Sequence, residues 1–195
     1  ARLWKGAKYA EEHELTNVAF IRTRIEFIES LFAQGEVSEI WITFADPQIG
    51  REKKRLTAPL FMSRYRNFLK PGGIVHLKTD SRYLHEYSLA MAQQNDLHIL
   101  AAATDIYGDD RDRLYESEFS SICGRAAVDA LFEVQTFYES QYLAQGFPIT
   151  YLSFLADHEG AYVSPEWAED LWKDEGHHFV IPSGLSVASK FYPEG

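Results

Sequence analysis

Glu39-Ile-Trp-Ile-Thr-Phe-Ala-Asp46-Pro47 reads as a short β-strand that stops at a carboxylate. Its β-branched and aromatic residues favour a strand, and apolar residues on both faces predict burial on both sides, as in a parallel sheet covered by helices. Pro47 has no N–H to donate and disfavours helix at Asp46, so the strand must end there. We therefore expect Asp46 at the carboxyl end of a central strand, where open α/β sheets bind their ligands.

The segments around this strand alternate between helical and extended patterns. Before it, the spacing predicts a helix over the first residues to about Glu14, a short strand at Val18–Ile21 and a helix from Ile25 to Phe32. After it, the pattern predicts helices beginning near Thr57, Ser81 and Thr136, and strands over 74–79, 97–103 and 149–155. This alternation predicts an α/β sheet with right-handed crossovers, whose last strand runs antiparallel at an edge.

Composition limits the class of protein. A chain of 195 residues fits one domain with a substantial core, and its 13 Phe, 11 Tyr and 4 Trp argue against disorder. The single cysteine, Cys123, excludes an internal disulfide framework. Because no signal peptide and no apolar run of spanning length is visible, we expect a cytoplasmic protein without a membrane segment.

Charge is distributed unevenly along the chain. The net charge of -10 has the wrong sign for indiscriminate binding of nucleic acid, and 156–195 is a strongly acidic extension of unknown role. Residues 51–70, however, contain one acid, Glu52, among a series of basic residues: Arg51, Lys53, Lys54, Arg55, Arg64, Arg66 and Lys70. A local positive surface of this kind can contact phosphate even on an acidic protein.

Several motifs occur in a fixed order. They are Phe44-Ala-Asp46-Pro47, the basic run closing in Lys54-Arg55-Leu56-Thr57, Gly72-Gly-Ile-Val-His-Leu-Lys-Thr-Asp80, Thr136-Phe-Tyr-Glu139 and Gly146-Phe-Pro-Ile149. Together they resemble the tRNA (guanine-N7)-methyltransferase family over roughly residues 1–155. The resemblance implies a Rossmann-like class I methyltransferase sheet with helices on both faces and an antiparallel last strand, of which 1–155 is the C-terminal two-thirds of the domain.

The resemblance also implies a reaction and residues for it. The family transfers a methyl group from S-adenosylmethionine to N7 of a guanine in tRNA, with no metal. Asp46 corresponds to a catalytic carboxylate that also contacts the cofactor. Asp80 and the motif residues Thr136, Phe137, Tyr138 and Glu139 correspond to substrate-binding positions. The expected RNA-binding residues are Arg51, Lys53, Lys54 and Arg55, which would hold phosphates rather than select a base.

Three departures from the family pattern stand out. The glycine-rich turn and the acidic residue that hold the cofactor's methionine and ribose are expected upstream of Ala1, so the first strands are absent from this chain. Arg24 replaces a polar residue near the expected adenine site. Gly50 replaces a common substrate-binding lysine, a loss for which Arg51 can compensate.

Simpler interpretations of the same residues stay open at this stage. Asp46 before proline is typical of a turn, Asp80 can cap the helix that follows it, and Thr136 with Glu139 forms a potential capping box. The basic run can be a solvated loop. Two other functions remain: a non-catalytic RNA-binding module, and a methyltransferase acting on a small molecule. The sequence also leaves open a monomer or a homodimer.

Overall fold

A four-stranded mixed sheet organises the protein in this computed structural model, which describes residues 2–167, 177–179 and 190–192. Its strands are β1 (Val37–Thr43), β2 (Leu69–Thr79), β3 (Ile99–Ala103) and β4 (Thr150–Leu155), in the spatial order β1-β2-β4-β3. β1 and β2 are parallel, and β4 is antiparallel to both β2 and β3. A separate antiparallel pair is formed by β5 (His177–Phe179) and β6 (Lys190–Tyr192).

Helices cover both faces of the sheet. After α1 (Arg2–Glu12) come α2 (Pro59–Tyr65), α3 (Arg82–Gln94), α4 (Arg111–Glu116), α5 (Glu118–Cys123), α6 (Arg125–Glu133) and α7 (Phe137–Leu143). Side chains of α2 and α3 pack with Val75, Leu77, Leu152 and Phe154 on one face. Side chains of α4 to α7 pack with Ile74 and Tyr151 on the other face. The predicted Rossmann-like fold with helices on both faces is confirmed.

The last strand of this sheet lies inside it and not at an edge. The predicted antiparallel direction is correct, but β4 is hydrogen-bonded to β2 on one side and to β3 on the other. Its residues from Thr150 to Phe154 are all buried. Such a continuous buried run needs a neighbour on each side, because an edge position would leave a row of its backbone groups unpaired.

β1 is less buried than the sequence predicts. Within the part of the chain that the structure describes, β1 pairs with β2 alone, so it is not a central strand there. Ile42 is buried against the α2–α3 face, whereas Trp41 on the opposite face is 43% exposed. The expectation of burial on both faces is therefore wrong for β1, because this strand lies at the side of the described sheet and has a neighbouring strand on one side only.

The region before β1 also differs from expectation. α1 is present as predicted, but Val18–Ile21 forms no strand, and Val18, Phe20 and Ile21 are exposed. An extended segment becomes a strand only with a ladder partner, and none of the described residues provides one. The helix predicted from Ile25 to Phe32 is a shorter 3-10 helix over Ile25–Ser30.

The start of the predicted C-terminal extension packs against the core. Tyr162 is 7% exposed and belongs to the α2–α3 core, with Ala156 and Trp167 beside it. The side chain of Asn95 accepts from the Val163 N–H at 2.7 Å and donates to the Val163 carbonyl at 2.8 Å. Residues 156–167 thus continue the sheet domain. The spacing of Trp167, Leu171 and Trp172 predicts one short amphipathic helix, of which Leu171 and Trp172 lie outside the described residues. Among the described helices, none is long and apolar enough to cross a bilayer.

Two histidines are buried in this fold. His76 of β2 is fully buried, stacks on Trp41 with 3.9 Å between ring centroids, and shares a 2.8 Å hydrogen bond between its Nδ1 and the Tyr151 hydroxyl. His85 of α3 is 1% exposed. Burial lowers the pKa of each imidazole to about 4, with the nearby Arg82 guanidinium adding to the shift at His85.

We expect acid to destabilise the protein through these histidines. An imidazole titrates near 6.5 in the unfolded chain and near 4 in the fold, so between these values the unfolded state binds more protons and stability falls as the pH falls. Each histidine should remove about 2 kcal/mol from the free energy of unfolding between pH 7 and pH 5. Urea unfolding at both pH values measures the loss. His85→Gln should reduce this loss by one histidine's share, and an unchanged loss in this variant would contradict the role of His85.

Candidate active site

The carboxyl ends of β1 and β2 lie side by side, together with the start of α7. The side of the sheet on which these strands end is called its carboxyl edge here. The strands are parallel with Thr43 opposite Lys78, and the Phe44 N–H donates to the Lys78 carbonyl at 2.9 Å. The ammonium of Lys78 lies 2.6 Å from a carboxylate oxygen of Glu139 in α7. Because strand direction fixes which ends meet, the loop after β1, the residue after β2 and the first turn of α7 converge at this edge.

Asp46 lies in an exposed turn directly after β1. Its Oδ1 accepts a hydrogen bond from the Gln48 N–H at 2.9 Å, the geometry of an Asx turn. The turn reading of this carboxylate is therefore confirmed, yet it does not conflict with a chemical role. The rest of the carboxylate faces solvent at the carboxyl edge, where a ligand can reach it.

Asp80 follows β2 and is 3% exposed. It does not cap the next helix: Ser81 is the N-cap of α3, and its hydroxyl accepts from the Leu84 N–H at 3.2 Å. The Asp80 carboxylate instead faces Tyr142 of α7. Burial, and then the charge and hydrogen bond of Asp80, raise the pKa of the Tyr142 hydroxyl. Asp80 therefore lies between the end of β2 and α7.

The motif Thr136–Glu139 forms a complete capping box at the start of α7. The Glu139 N–H donates to the Thr136 hydroxyl at 3.1 Å, and the Thr136 N–H donates to Glu139 Oε2 at 3.2 Å. Glu139 is fully buried, so the expectation that it accepts hydrogen bonds directly from a base is not met in this structure. Phe137 differs, since 61% of its side chain is exposed beside a partly buried Tyr138.

Lys78 and Tyr107 fix the position of Glu139. The Lys78 ammonium, 4% exposed, binds Glu139 Oε1 at 2.6 Å and the Leu131 carbonyl at the end of α6, also at 2.6 Å. The Tyr107 hydroxyl donates to the same Oε1 at 2.8 Å. A buried ion pair of this kind ties the end of β2 to the helices that approach the site.

The basic run splits into an exposed part and a buried part. Arg51, Lys53 and Lys54 are exposed on the loop and 3-10 turn that follow Asp46, where phosphate can reach them. Arg55 is 0% exposed, and its guanidinium donates to the carbonyls of Pro47 at 2.9 Å and Gln48 at 3.2 Å. The prediction that Arg55 contacts RNA phosphate is wrong in this structure, because the side chain points into the protein.

The remaining basic residues of segment 51–70 do not join this surface. Arg64 lies 3.5 Å from the Glu29 carboxylate, and Arg66 donates to the carbonyl of His158 at 3.2 Å. Lys70 donates to Ser38 Oγ at 3.0 Å, near the start of β2 and hence at the opposite edge of the sheet from Asp80. Arg64, Arg66 and Lys70 therefore add nothing to the positive surface beside Asp46.

Of the residues predicted to contact S-adenosylmethionine, the described chain contains Asp46. Its carboxylate is exposed, and the contact stays a prediction. Gly35 and Gly72 cannot form the turn that cradles the cofactor's methionine, because they lie before β1 and at the start of β2, at the opposite edge of the sheet. Over residues 2–167 and the two short strands, no group of three or more His, Cys, Asp or Glu side chains is arranged to hold a metal ion.

Sequence reasoning missed the roles of Lys78, Tyr107 and Arg55. A signal existed for Lys78: a lysine two residues after His76 in a buried strand points to the same covered face and must find a partner there. Tyr107 carries no such signal, since its contact depends on where the loop after β3 ends. Arg55 gave no signal either, because it ends a run of basic residues and the sequence does not show which of these side chains is buried.

Comparison with known proteins gives a consistent family. A family model described as "Putative methyltransferase" matches residues 3–118. The tRNA (guanine-N(7)-)-methyltransferase of Bacteroides thetaiotaomicron is 42% identical over 96% of this chain and 68% of that protein. The protein of the same name from Christiangramia forsetii is 51% identical over 79% of this chain and 63% of that protein. The chain thus spans about two thirds of the length of these relatives.

A solved structure, that of the [4+2]-cyclase SpnF, aligns with 78% of this chain and 62% of its own at a TM-score of 0.43 and 16% identity. The family assignment rests on the sequence relatives and on the family model. On these matches, the chain belongs to the tRNA (guanine-N(7)-)-methyltransferase family.

Proposed function

We propose that the protein transfers a methyl group from S-adenosylmethionine to N7 of a guanine in tRNA. The observation that carries this proposal is the convergence of Asp46, Asp80 and the first turn of α7 at one edge of the sheet, beside an exposed basic loop. Membership of the family supports the same reaction. S-adenosylmethionine supplies a methyl group that is activated by its positively charged sulfur.

Methyl transfer to guanine N7 requires that the reacting groups are aligned and that the charge formed on the base is stabilised. N7 of guanine has a free lone pair, so no proton has to be removed before attack. As the bond from N7 to the methyl carbon forms, the bond from that carbon to sulfur breaks, the base becomes cationic and a neutral thioether leaves. Asp46 provides an exposed carboxylate at the carboxyl end of β1, where it stabilises this developing positive charge and helps to align the reacting groups. Pro47 and the Asx turn fix where this carboxylate lies.

Recognition of guanine falls to the neighbouring elements. Asp80 is 3% exposed and faces Tyr142 of α7, so in this structure it positions α7, and the expectation that it accepts hydrogen bonds directly from guanine N1–H and N2–H2 is not met. Thr136 and Glu139 set the position of α7 through their capping box, and the exposed ring of Phe137 offers a surface on which a base can stack. Glu139 thus acts by holding α7 in position. Its own carboxylate is fixed by the Lys78 ammonium and the Tyr107 hydroxyl.

We expect the charge-reversed variant Lys53→Glu/Lys54→Glu to weaken tRNA binding. Both ammonium groups are exposed beside Asp46, and each phosphate contact that is lost lowers the salt dependence of binding. The slope of log K against log salt concentration should become shallower by about 1 to 2, and affinity at low salt should fall at least about 10-fold. Titration of labelled tRNA at several salt concentrations measures both. Lys70→Glu, at the opposite edge of the sheet, is the matched control, and equal losses from both variants would contradict the assignment.

A direct assay tests the reaction itself. The full-length protein is incubated with labelled S-adenosylmethionine and tRNA, and the nucleosides are then separated after digestion. The proposal expects the label in N7-methylguanosine. Salt-sensitive tRNA binding with no methyl transfer would favour a non-catalytic RNA-binding module, and transfer to a free small molecule but not to tRNA would favour the other class of methyltransferase.

A further inference from the structure

Arg55 lies in an aromatic clamp beneath the Asp46 turn. Its side chain is 0% exposed, and its guanidinium carbon lies 3.9 Å from the centroid of the Tyr87 ring and 4.9 Å from that of Tyr83, both in α3. A planar guanidinium stacks on aromatic rings in a way that an ammonium cannot. The two rings therefore fix the plane in which Arg55 presents its N–H groups.

The donors of Arg55 are directed at the turn and at α3. Nε donates to the Pro47 carbonyl at 2.9 Å, and Nη2 donates to the Gln48 carbonyl at 3.2 Å and to the Tyr83 hydroxyl. One side chain thus binds the two residues that follow Asp46 and joins them to a buried helix. Charge-assisted hydrogen bonds of this kind are the stronger ones, above all when they are buried.

The Asp46 turn needs such support, because its backbone is strained on both sides. Phe44 and Gln48 have positive φ values of 50° and 52°, in the left-handed region that residues other than glycine seldom adopt. Such conformations persist only where neighbouring structure fixes them. Gln48 is one of these residues and its carbonyl is a direct acceptor of Arg55.

The clamp is itself supported from outside. The Tyr87 hydroxyl donates to Glu52 Oε1 at 2.5 Å, which ties the basic loop to the same ring. Trp167 packs edge-on against Tyr83 and Tyr87, with centroid distances of 5.7 and 5.6 Å. The segment after β4 therefore contacts the rings that enclose Arg55.

We propose that Arg55 is a positioning residue that holds the Asp46 turn in its reactive conformation. It acts through the Pro47 and Gln48 carbonyls and makes no contact with RNA. The effect on methyl transfer rests on the proposed function, whereas the effect on the turn does not. The clamp also gives residues 156–167 a role, since Trp167 closes its outer side.

The test compares Arg55→Gln and Arg55→Lys with Lys54→Gln in the full-length protein. Hydrogen exchange of the backbone amides over 44–50 reports the turn, and kcat, KM for tRNA and the salt slope of tRNA binding report function. Loss of the clamp should speed exchange in the turn and lower kcat by about 100-fold, because a displaced reacting group costs that much. Arg55→Lys should not rescue either quantity, since an ammonium cannot stack and reach all three acceptors.

The salt slope separates positioning from phosphate binding. Both Arg55 variants should keep the wild-type slope, whereas Lys54→Gln should make it shallower while leaving exchange in the turn unchanged. A shallower slope for Arg55→Gln, or unchanged exchange over 44–50, would overturn the proposal. Trp167→Ala keeps Arg55 and removes only the ring that packs against Tyr83 and Tyr87. It should therefore speed hydrogen exchange in the turn less than the Arg55 variants do. If the wild-type protein methylated no guanine, the proposed function would fail, but the exchange data would still decide the clamp.

Discussion

Replacing Asp46 by Asn is expected to lower kcat for methyl transfer to guanine by about 100- to 1,000-fold, the usual cost of losing one electrostatic group at a reacting centre. Asn keeps the side-chain oxygen that accepts from the Gln48 N–H, so the turn is preserved while the negative charge is lost. Asp46→Ala should abolish transfer. Because Asp46 is exposed, Asp46→Asn should unfold within about 0.5 kcal/mol of the wild type, whereas Asp46→Ala also loses the hydrogen bond to the Gln48 N–H and should cost about 1 kcal/mol.

Single-turnover assays with tRNA and labelled S-adenosylmethionine measure the chemical step, and thermal unfolding checks the fold. The control is Asp109→Asn, which removes an exposed carboxylate on the loop after β3. Normal turnover by Asp46→Asn would remove this carboxylate from the mechanism. A large drop in stability of either Asp46 variant would instead assign it a structural role in the turn.

Replacing Lys78 by Met is expected to give the largest loss of stability. The change deletes the ammonium that binds the fully buried Glu139 carboxylate at 2.6 Å and leaves that charge with the Tyr107 hydroxyl and the capping box alone. Removing one partner of a buried ion pair costs about 3 to 5 kcal/mol, since the remaining charge stays desolvated. Urea unfolding measures this loss.

A double-mutant cycle shows whether the loss comes from the pair. Lys78→Met/Glu139→Leu removes both charges, so it should recover a substantial part of the stability that Lys78→Met loses. The control is Lys8→Met, which breaks an exposed pair with Glu12 and should cost less than about 1 kcal/mol. A loss below 1 kcal/mol for Lys78→Met would mean that the buried pair does not hold α7 on β2.

Local patterns predicted the part of the site that depends on strand ends and helix starts. Pro47 marks where β1 stops, and Asp80 ends the apolar run of β2, so both positions follow from residues next to them. The spacing of Thr136 and Glu139 predicts the capping box that the structure confirms. Each of these features is decided within a few residues, which is the range over which sequence patterns are informative.

Features that depend on distant partners were not predictable. Arg55 resembles Lys53 and Lys54 in sequence, and it is buried only because the rings of Tyr83 and Tyr87 in α3 lie against its guanidinium. β4 lies inside the sheet because β2 and β3 do not pair with each other and are separated by the width of one strand. Val18–Ile21 has the residues of a strand, but a ladder partner decides whether a strand forms.

The inner place of β4 has a consequence for how the protein is made. β2 and β3 are synthesised long before β4, and in the described sheet they do not pair with each other: Thr79 meets Thr150, and Ala103 meets Tyr151. Until Thr150–Leu155 has left the ribosome, β2 and β3 each have one side whose backbone groups lack the β4 partner. Closure is then a late step between segments far apart in sequence, which is the slow and aggregation-prone kind.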